Sequence, residues 1–360
     1  MKKENLLKIL RQLRTPNGLY RASLGEYYCQ YTWIRDVYYC AMPELTLNPE
    51  NYKQTYQTLL DYYINMEKKH KKLSSLIISP TKYSFEYPHP RFYPLDLEEI
   101  DQQWSFKQLD NFGQFMHGIW LGESNGVKII RDDKDREVIN LLIKILDAVD
   151  YAQCENSSYW EESEEVRQSS VASCVCGLTA IRMLGFEVSQ ELINKGLKAM
   201  TELGTDESST RKYDLATLSL IYPHNIVDPK KAYEIIHNVE RELLRDMGVI
   251  RYHDDVYYSL NNTWDAPRTG RLCQYGLEGN RGNEAEWCFG FAFLGLSYFT
   301  MGDIDKATYY LKKLAECEYG EGMLPELYYS KTNIAGDNNP LGWTNAMGIL
   351  LMEALGYDDI

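Results

Sequence analysis

The sequence lacks any apolar run of the roughly 20 residues that a membrane-spanning helix requires. Its opening residues, Met1-Lys2-Lys3-Glu4-Asn5, lead into an amphipathic stretch without the apolar core of a secretion signal. A cytoplasmic protein without membrane contact is therefore expected. Positive charge is also scarce: 38 Lys and Arg stand against 52 Asp and Glu, a net charge of −14. The densest basic run, Lys68-Lys69-His70-Lys71-Lys72, falls at a helix end and reads as solvated, so no nucleic-acid partner is expected. Histidines number only six, and none of the eight cysteines pairs with them at zinc-ligand spacing, so neither a metal nor a cofactor is expected. An oxygen-rich calcium site using Asp254 or Asp255 stays open. Cys29, Cys40, Cys154, Cys174, Cys176, Cys273, Cys288 and Cys317 are scattered and read as free thiols of a reducing compartment. The glycines from Gly276 to Gly282 lack the strand–glycine–helix context of a phosphate loop and read as a flap. Sustained two-residue alternation and a fixed sequence period are both missing, which disfavours sheets and solenoids.

Helical periodicity is what remains. Apolar spacing predicts twelve helices, at about 3–14, 34–46, 50–70, 107–122, 133–149, 167–184, 188–203, 211–220, 229–245, 284–300, 303–317 and 342–355. Asn48-Pro49-Glu50 and Asp228-Pro229 supply an N-cap followed by proline, while Gly185, Gly204 and Gly302 supply stops. Short turns alternate with long polar connections at about 72–103, 150–166, 246–283 and 318–341, and loops of that length in a compact domain are usually functional. Six helical hairpins closing on themselves give an all-α, (α/α)6 barrel, with residues 1–360 as a single domain and the long loops at one mouth.

Those loops carry the chemistry. Tyr31-Thr32-Trp33-Ile34-Arg35-Asp36, Trp104 to Asp110, Trp160-Glu161-Glu162, Glu284-Ala285-Glu286-Trp287 and Leu324-Pro325-Glu326 with Trp343 each precede or open an alternate helix. Carboxylates at helix starts have a plain use, stabilising the first turn by roughly 0.3–1 kcal/mol. Tryptophans beside so many of them suggest more. The 29 tyrosines fit either a well-filled core or contacts with sugar faces. Two carboxyl groups are the minimum equipment for glycoside hydrolysis, one protonated as acid and one ionised as base. Burial beside Trp160 is expected to suit Glu161 to the acid's part, and Glu326 behind rigid Pro325 to the base's.

The motifs at 31–36, 160–162, 251–258 (Arg251-Tyr252-His253-Asp254-Asp255-Val256-Tyr257-Tyr258) and 324–326 resemble glycoside hydrolase family 15, the glucoamylases. The stretch from Glu286-Trp287 to Leu324-Pro325-Glu326-Leu327-Tyr328 also resembles the related domain of the phosphorylase kinase α and β subunits. The resemblance implies an (α/α)6 barrel that hydrolyses α-glucosidic bonds with inversion and takes an oligosaccharide as substrate. It implies Glu161 as general acid and Glu326 as general base. It implies sugar-binding roles for Arg35, Asp36 and Arg251, and places Trp104 and Asp110 along the site; Trp33, Trp160, Glu162, Asp255 and Trp343 complete the expected substrate-binding set. Two departures stand out. Cys29 occupies the position where the family often carries a tyrosine, with Tyr28 beside it, and Lys107-Gln108-Leu109-Asp110 lacks the family's arginine-proline. Neither an amino-terminal β-sandwich nor a starch-binding module is expected, so a small soluble oligosaccharide is a better substrate than granular starch. Three functions stay open: an exo-acting α-glucosidase, a non-catalytic sugar-sensing domain like that of the kinase subunits, and a trehalase-type hydrolase.

Overall fold

The computed structural model describes residues 1–81, 83–102, 106–259 and 281–360; Trp104, Cys273, Gly276 and Gly279 lie outside these. Thirteen α-helices are found among the described residues: α1 (Lys3–Leu13), α2 (Ile34–Ala41), α3 (Glu44–Leu47), α4 (Pro49–His70), α5 (Lys72–Ile78), α6 (Asp110–Ser124), α7 (Asp133–Ala148), α8 (Gln168–Met183), α9 (Gln190–Leu203), α10 (Pro229–Glu242), α11 (Phe289–Thr300), α12 (Ile304–Glu316) and α13 (Gly342–Leu355). Two antiparallel strand pairs accompany them. Strand β1 (Thr32–Trp33) pairs with β2 (Arg91–Phe92), with Trp33 opposite Arg91, and β3 (Glu286–Trp287) pairs with β4 (Leu327–Tyr328), with Trp287 opposite Leu327.

Caps fall where the sequence puts them. Asn48 accepts from Asn51 N ahead of Pro49, and Asp228 accepts from Lys231 N ahead of Pro229. Gly302, at φ +81°, turns α11 into α12 in a conformation that costs other residues more. Four expectations needed correction. The predicted 34–46 helix is broken after Ala41, because Pro43 has no N–H to continue the ladder and restarts the chain as α3. The predicted 211–220 helix is only a 3-10 turn, Leu215–Leu220, because the Asp214 side chain takes Ala216 N and fixes the start there. Residues 286–287 pair as β3, and α11 opens only at Phe289 rather than at 284. The stretch 72–103 contains α5 and β2; with only Leu73 and Leu76 buried, α5 is too short to show a period.

The chain divides into two compact units, one of residues 14–21 and 30–204, the other of 1–13, 22–29 and 205–360. Within the first, α2, α6 and α8 bury nearly every residue, whereas α4, α7 and α9 bury one face. That contrast separates lining helices from outer ones. Helices α6 and α8 touch backbone to backbone: a Cβ on Gly113 would lie 2.1 Å from Ser173 O, and one on Gly177 2.3 Å from Gly113 O. Tyrosine fills much of this core, and several of its hydroxyls find backbone acceptors: Tyr52 donates to Gly118 O, Tyr62 to His89 O and Tyr151 to Leu192 O. The second unit repeats the scheme, α11 and α13 buried all round, α1, α10 and α12 on one face. No helix among the described residues is long and apolar enough to cross a membrane.

Candidate active site

In the 14–21 and 30–204 unit, the polar residues gather at the start of α2. The β1–β2 pair holds the chain just ahead of it, with Ile34 N donating to Pro90 O, so Arg35 and Asp36 open the helix from a fixed point. Arg35 is buried and its guanidinium is fully engaged. Nε and Nη2 meet Asp110 Oδ2 at 3.1 and 3.0 Å, Nη2 also meets Gln108 Oε1 at 2.6 Å and Ser158 O at 2.9 Å, and Nη1 meets Tyr159 O at 2.7 Å. Burial works against the Arg35 charge, but Asp110 and then Glu161 outweigh it and raise its pKa, so the group stays charged. Asp110 is the first residue of α6 and fully buried.

Glu161 follows the 3-10 turn Ser158–Trp160 in a left-handed conformation, φ +60°, a geometry that costs a non-glycine residue on the order of 1–3 kcal/mol. Its Oε1 accepts from Gln108 Nε2 at 3.1 Å, and Gln108 Oε1 takes Arg35 and Asn111 Nδ2 (3.1 Å). Trp160 and Glu161 are half-buried, Glu162 is buried, and Trp33 is buried under the Arg91 guanidinium at 5.2 Å. The strained turn thus leaves part of Glu161 accessible while the arginine behind it is sealed.

Asp36 lies in the field of the same groups. Burial, then Glu161 against the opposing pull of Arg35, raises its pKa from the ordinary 3.8 to about 7. The sign follows from linkage: the folded state holds this proton more tightly, so stability is highest on the acid side and declines as pH rises through the window up to about 7. In Asp36→Asn that decline shrinks by on the order of 4 kcal/mol across the window. Urea midpoints at a series of pH values check this; parallel profiles for the two proteins would contradict it.

The other unit carries its own cluster. Arg251 grips Asp255 with two parallel bonds, Nε to Oδ2 at 2.6 Å and Nη2 to Oδ1 at 2.7 Å, and its guanidinium covers Trp287 at 4.8 Å and Tyr257 at 5.0 Å. Asp255 Oδ1 also takes Tyr257 N, so both carboxylate oxygens are held by protein donors. Glu326, buried, comes immediately before β4. Its backbone N–H donates to Asn339 Oδ1 at 2.9 Å, its carbonyl accepts from Cys288 N at 3.2 Å, and its Oε2 accepts from Asn338 Nδ2 at 3.0 Å. Asn338 also reaches the Tyr258 hydroxyl at 3.3 Å, and the Tyr28 and Tyr257 hydroxyls are 2.6 Å apart. Burial first, then Tyr28 and Glu326, pushes the Tyr257 phenol well up, so it stays neutral; Tyr258 is raised by burial and Glu326. Cys29 turns its thiol to Glu26 O. Trp343 stacks on Phe289 at 4.5 Å, nearly parallel.

The remaining helix-start acids serve the backbone, as the plain explanation has it. Glu286 accepts from Met247 N and Lys331 N, Glu284 from Asp254 N and Gly282 N, and Asp214 caps its 3-10 turn. Asn338 and the carbonyls of Ser158 and Tyr159 were not singled out from sequence, and Gln108 only as a glutamine kept within the Lys107-Gln108-Leu109-Asp110 motif, with no role assigned. Gln108 had a signal, two residues from Asp110; the others, being amide and backbone groups in loops, had none.

Solved structures similar to this chain include a wild-type glycosidase, with 18% identity and a TM-score of 0.78 over 98% of this chain and 96% of that one. A glycosidase variant in complex with glucose shares 17% identity at the same TM-score and coverage. The glucoamylase from Saccharomycopsis fibuligera shares 12% identity at a TM-score of 0.68, over 98% of this chain and 94% of that one. No curated protein matches the sequence. The likeness sets the class, an all-α protein with the (α/α)6-barrel fold of glucoamylases. The family model "Glycosyl hydrolases family 15" matches residues 4–185, half of the chain. The protein therefore belongs to glycosyl hydrolase family 15 and is a glycoside hydrolase with a carbohydrate substrate.

Proposed function

We propose that the protein is an inverting, exo-acting α-glucosidase of the glucoamylase type, releasing glucose from the non-reducing end of small α-glucans in the cytoplasm. The arginine at the start of α2 carries the reading: sealed by Gln108, Asp110 and two carbonyls, Arg35 sits electrostatically next to both Asp36 and the accessible Glu161. A buried guanidinium with carboxyl groups on its flank suits the hydroxyl rim of one terminal sugar. The glucose bound in a similarly folded glycosidase variant agrees with this.

In this reading Glu161 gives its proton to the glycosidic oxygen as the bond to C1 breaks. Glu326 takes a proton from the water that attacks C1 from the opposite side, so one water is consumed and the anomeric configuration inverts. Asn338 orients the Glu326 carboxylate. The Tyr28–Tyr257 pair supplies the phenol that the family carries one residue later, where this chain has Cys29. Trp33, Arg35, Asp36, Trp104, Asp110, Trp160, Glu162, Arg251, Asp255 and Trp343 hold or line the substrate site.

The test is the anomer of the released sugar. With maltose, isomaltose, maltotetraose and trehalose offered separately, proton NMR is expected to show β-glucose appearing first, and maltotetraose to shorten by one unit at a time. First release of α-glucose would rule out inversion, internal cleavage would rule out exo action, and turnover of trehalose alone would favour the trehalase-type reading.

A further inference from the structure

The loop ahead of β2 carries a feature that the hydrolytic reading does not use. Tyr83 and Phe85 are 66% and 59% exposed, and their rings stack on each other with centroids 5.7 Å apart and planes 27° from parallel. They flank Ser84 on the 3-10 turn Ser84–Glu86. Phenylalanine has no polar edge to offer water, so a stacked pair standing in solvent leaves apolar face uncovered.

The turn is anchored. Ser84 Oγ accepts from Lys107 N at 3.0 Å, Lys107 O accepts from both Ser157 N and Ser157 Oγ at 3.0 Å, and the neighbouring Gln108 donates to Glu161. Lys107 Nζ pairs with Glu164 at 2.6 Å, and buried Tyr87 donates its hydroxyl to Thr81 O, closing the base of the loop. A short chain of hydrogen bonds thus references the rings to the loop that bears Glu161.

We propose that Tyr83 and Phe85 form an aromatic platform that binds a glucosyl unit of an α-glucan chain remote from the bond being cleaved; this rests on the α-glucosidase reading. A pyranose offers an apolar C–H face and a rim of hydroxyls, which matches near-parallel rings with the single Tyr83 hydroxyl at their edge. The size of the patch favours a sugar over a protein partner. Two aromatic side chains bury at most about 500 Å², well short of the roughly 1,200–2,000 Å² of a stable protein interface.

The double variant Tyr83→Ala/Phe85→Ala tests the platform. Its kcat/KM on maltose is expected to stay within about twofold of the parent, while KM for maltoheptaose rises about tenfold and kcat holds; Tyr83→Phe behaves as the parent. Equal losses on both substrates would show that the rings act only by supporting the Ser84–Lys107 anchor, and no change on either would remove the platform. Calorimetric binding of maltoheptaose, in the Glu161→Gln background, separates this proposal from the hydrolase reading. Binding lost in the double variant of a protein that never turns glucan over would keep the platform and overturn the enzyme assignment. Absence of binding in both would overturn the platform, as would self-association by sedimentation that the double variant abolishes.

Discussion

Glu326→Gln and Glu161→Gln each lower kcat on maltose by about 10²–10⁴-fold, the range expected for losing a positioned acid or base, while KM changes little. Both substitutions preserve shape. The Glu326 backbone bonds to Asn339 and Cys288 do not involve the side chain, and Asn338 Nδ2 donates equally well to an amide oxygen. At position 161 the new amide oxygen takes the place of Oε1 in front of Gln108 Nε2. Stability is therefore expected within about 1 kcal/mol of the parent in each case, and thermal melts alongside the kinetics separate lost chemistry from lost fold. Turnover at the parental rate in either variant would remove that residue from the mechanism. Two proton-transfer groups acting in one step are also non-additive, so the double variant falls little below the worse single one.

Arg35→Met is the largest effect expected on stability, about 3–5 kcal/mol. Methionine fills the space but abandons Asp110 as a lone carboxylate with no solvent exposure, together with the carbonyls of Ser158 and Tyr159, and takes from Gln108 Oε1 one of its two donors. Arg35→Lys keeps the charge and loses the fork that spans four acceptors at once, so it falls between. In the cycle completed by Asp110→Leu, the double variant is expected to recover part of the loss, because the penalty comes from the orphaned charge rather than from the value of the pair. A cost for Arg35→Met no greater than the ~0–1 kcal/mol typical of a surface ion pair would contradict this account. Activity of this variant should vanish with the fold intact at low temperature, since the same arginine fixes the loop that bears Glu161.

How much of this was legible in the sequence depended on what kind of force sets each part. Helices such as α4 and α10 announce themselves twice, by period and by an Asn-Pro or Asp-Pro cap, and the structure places them within a few residues of expectation. The charged motifs were visible because tryptophan and carboxylate side by side are unusual. What escaped was decided by local competition or by distance in the chain. Pro43 splits one predicted helix and Asp214 reduces another to a 3-10 turn through a single side-chain bond. Helix α5 and the strand pairs are too short to carry a period. Asn338 meets Glu326 twelve residues away through an amide that no spacing rule marks, and Gln108 reaches 53 residues along the chain to Glu161. Glu284 and Glu286 look like site acids in sequence and are spent on backbone donors instead.

Gln108 has one more consequence. Its carbonyl end is pinned by two donors, Arg35 and Asn111, so its amino end has no choice but to face Glu161. Oε1 of that carboxyl group is thereby engaged as an acceptor, which leaves Oε2 the better placed of the two to face a substrate oxygen. The amide breaks the equivalence of the two oxygens, so that an acid of this kind would deliver from one fixed side of the sugar and be recharged along the same route.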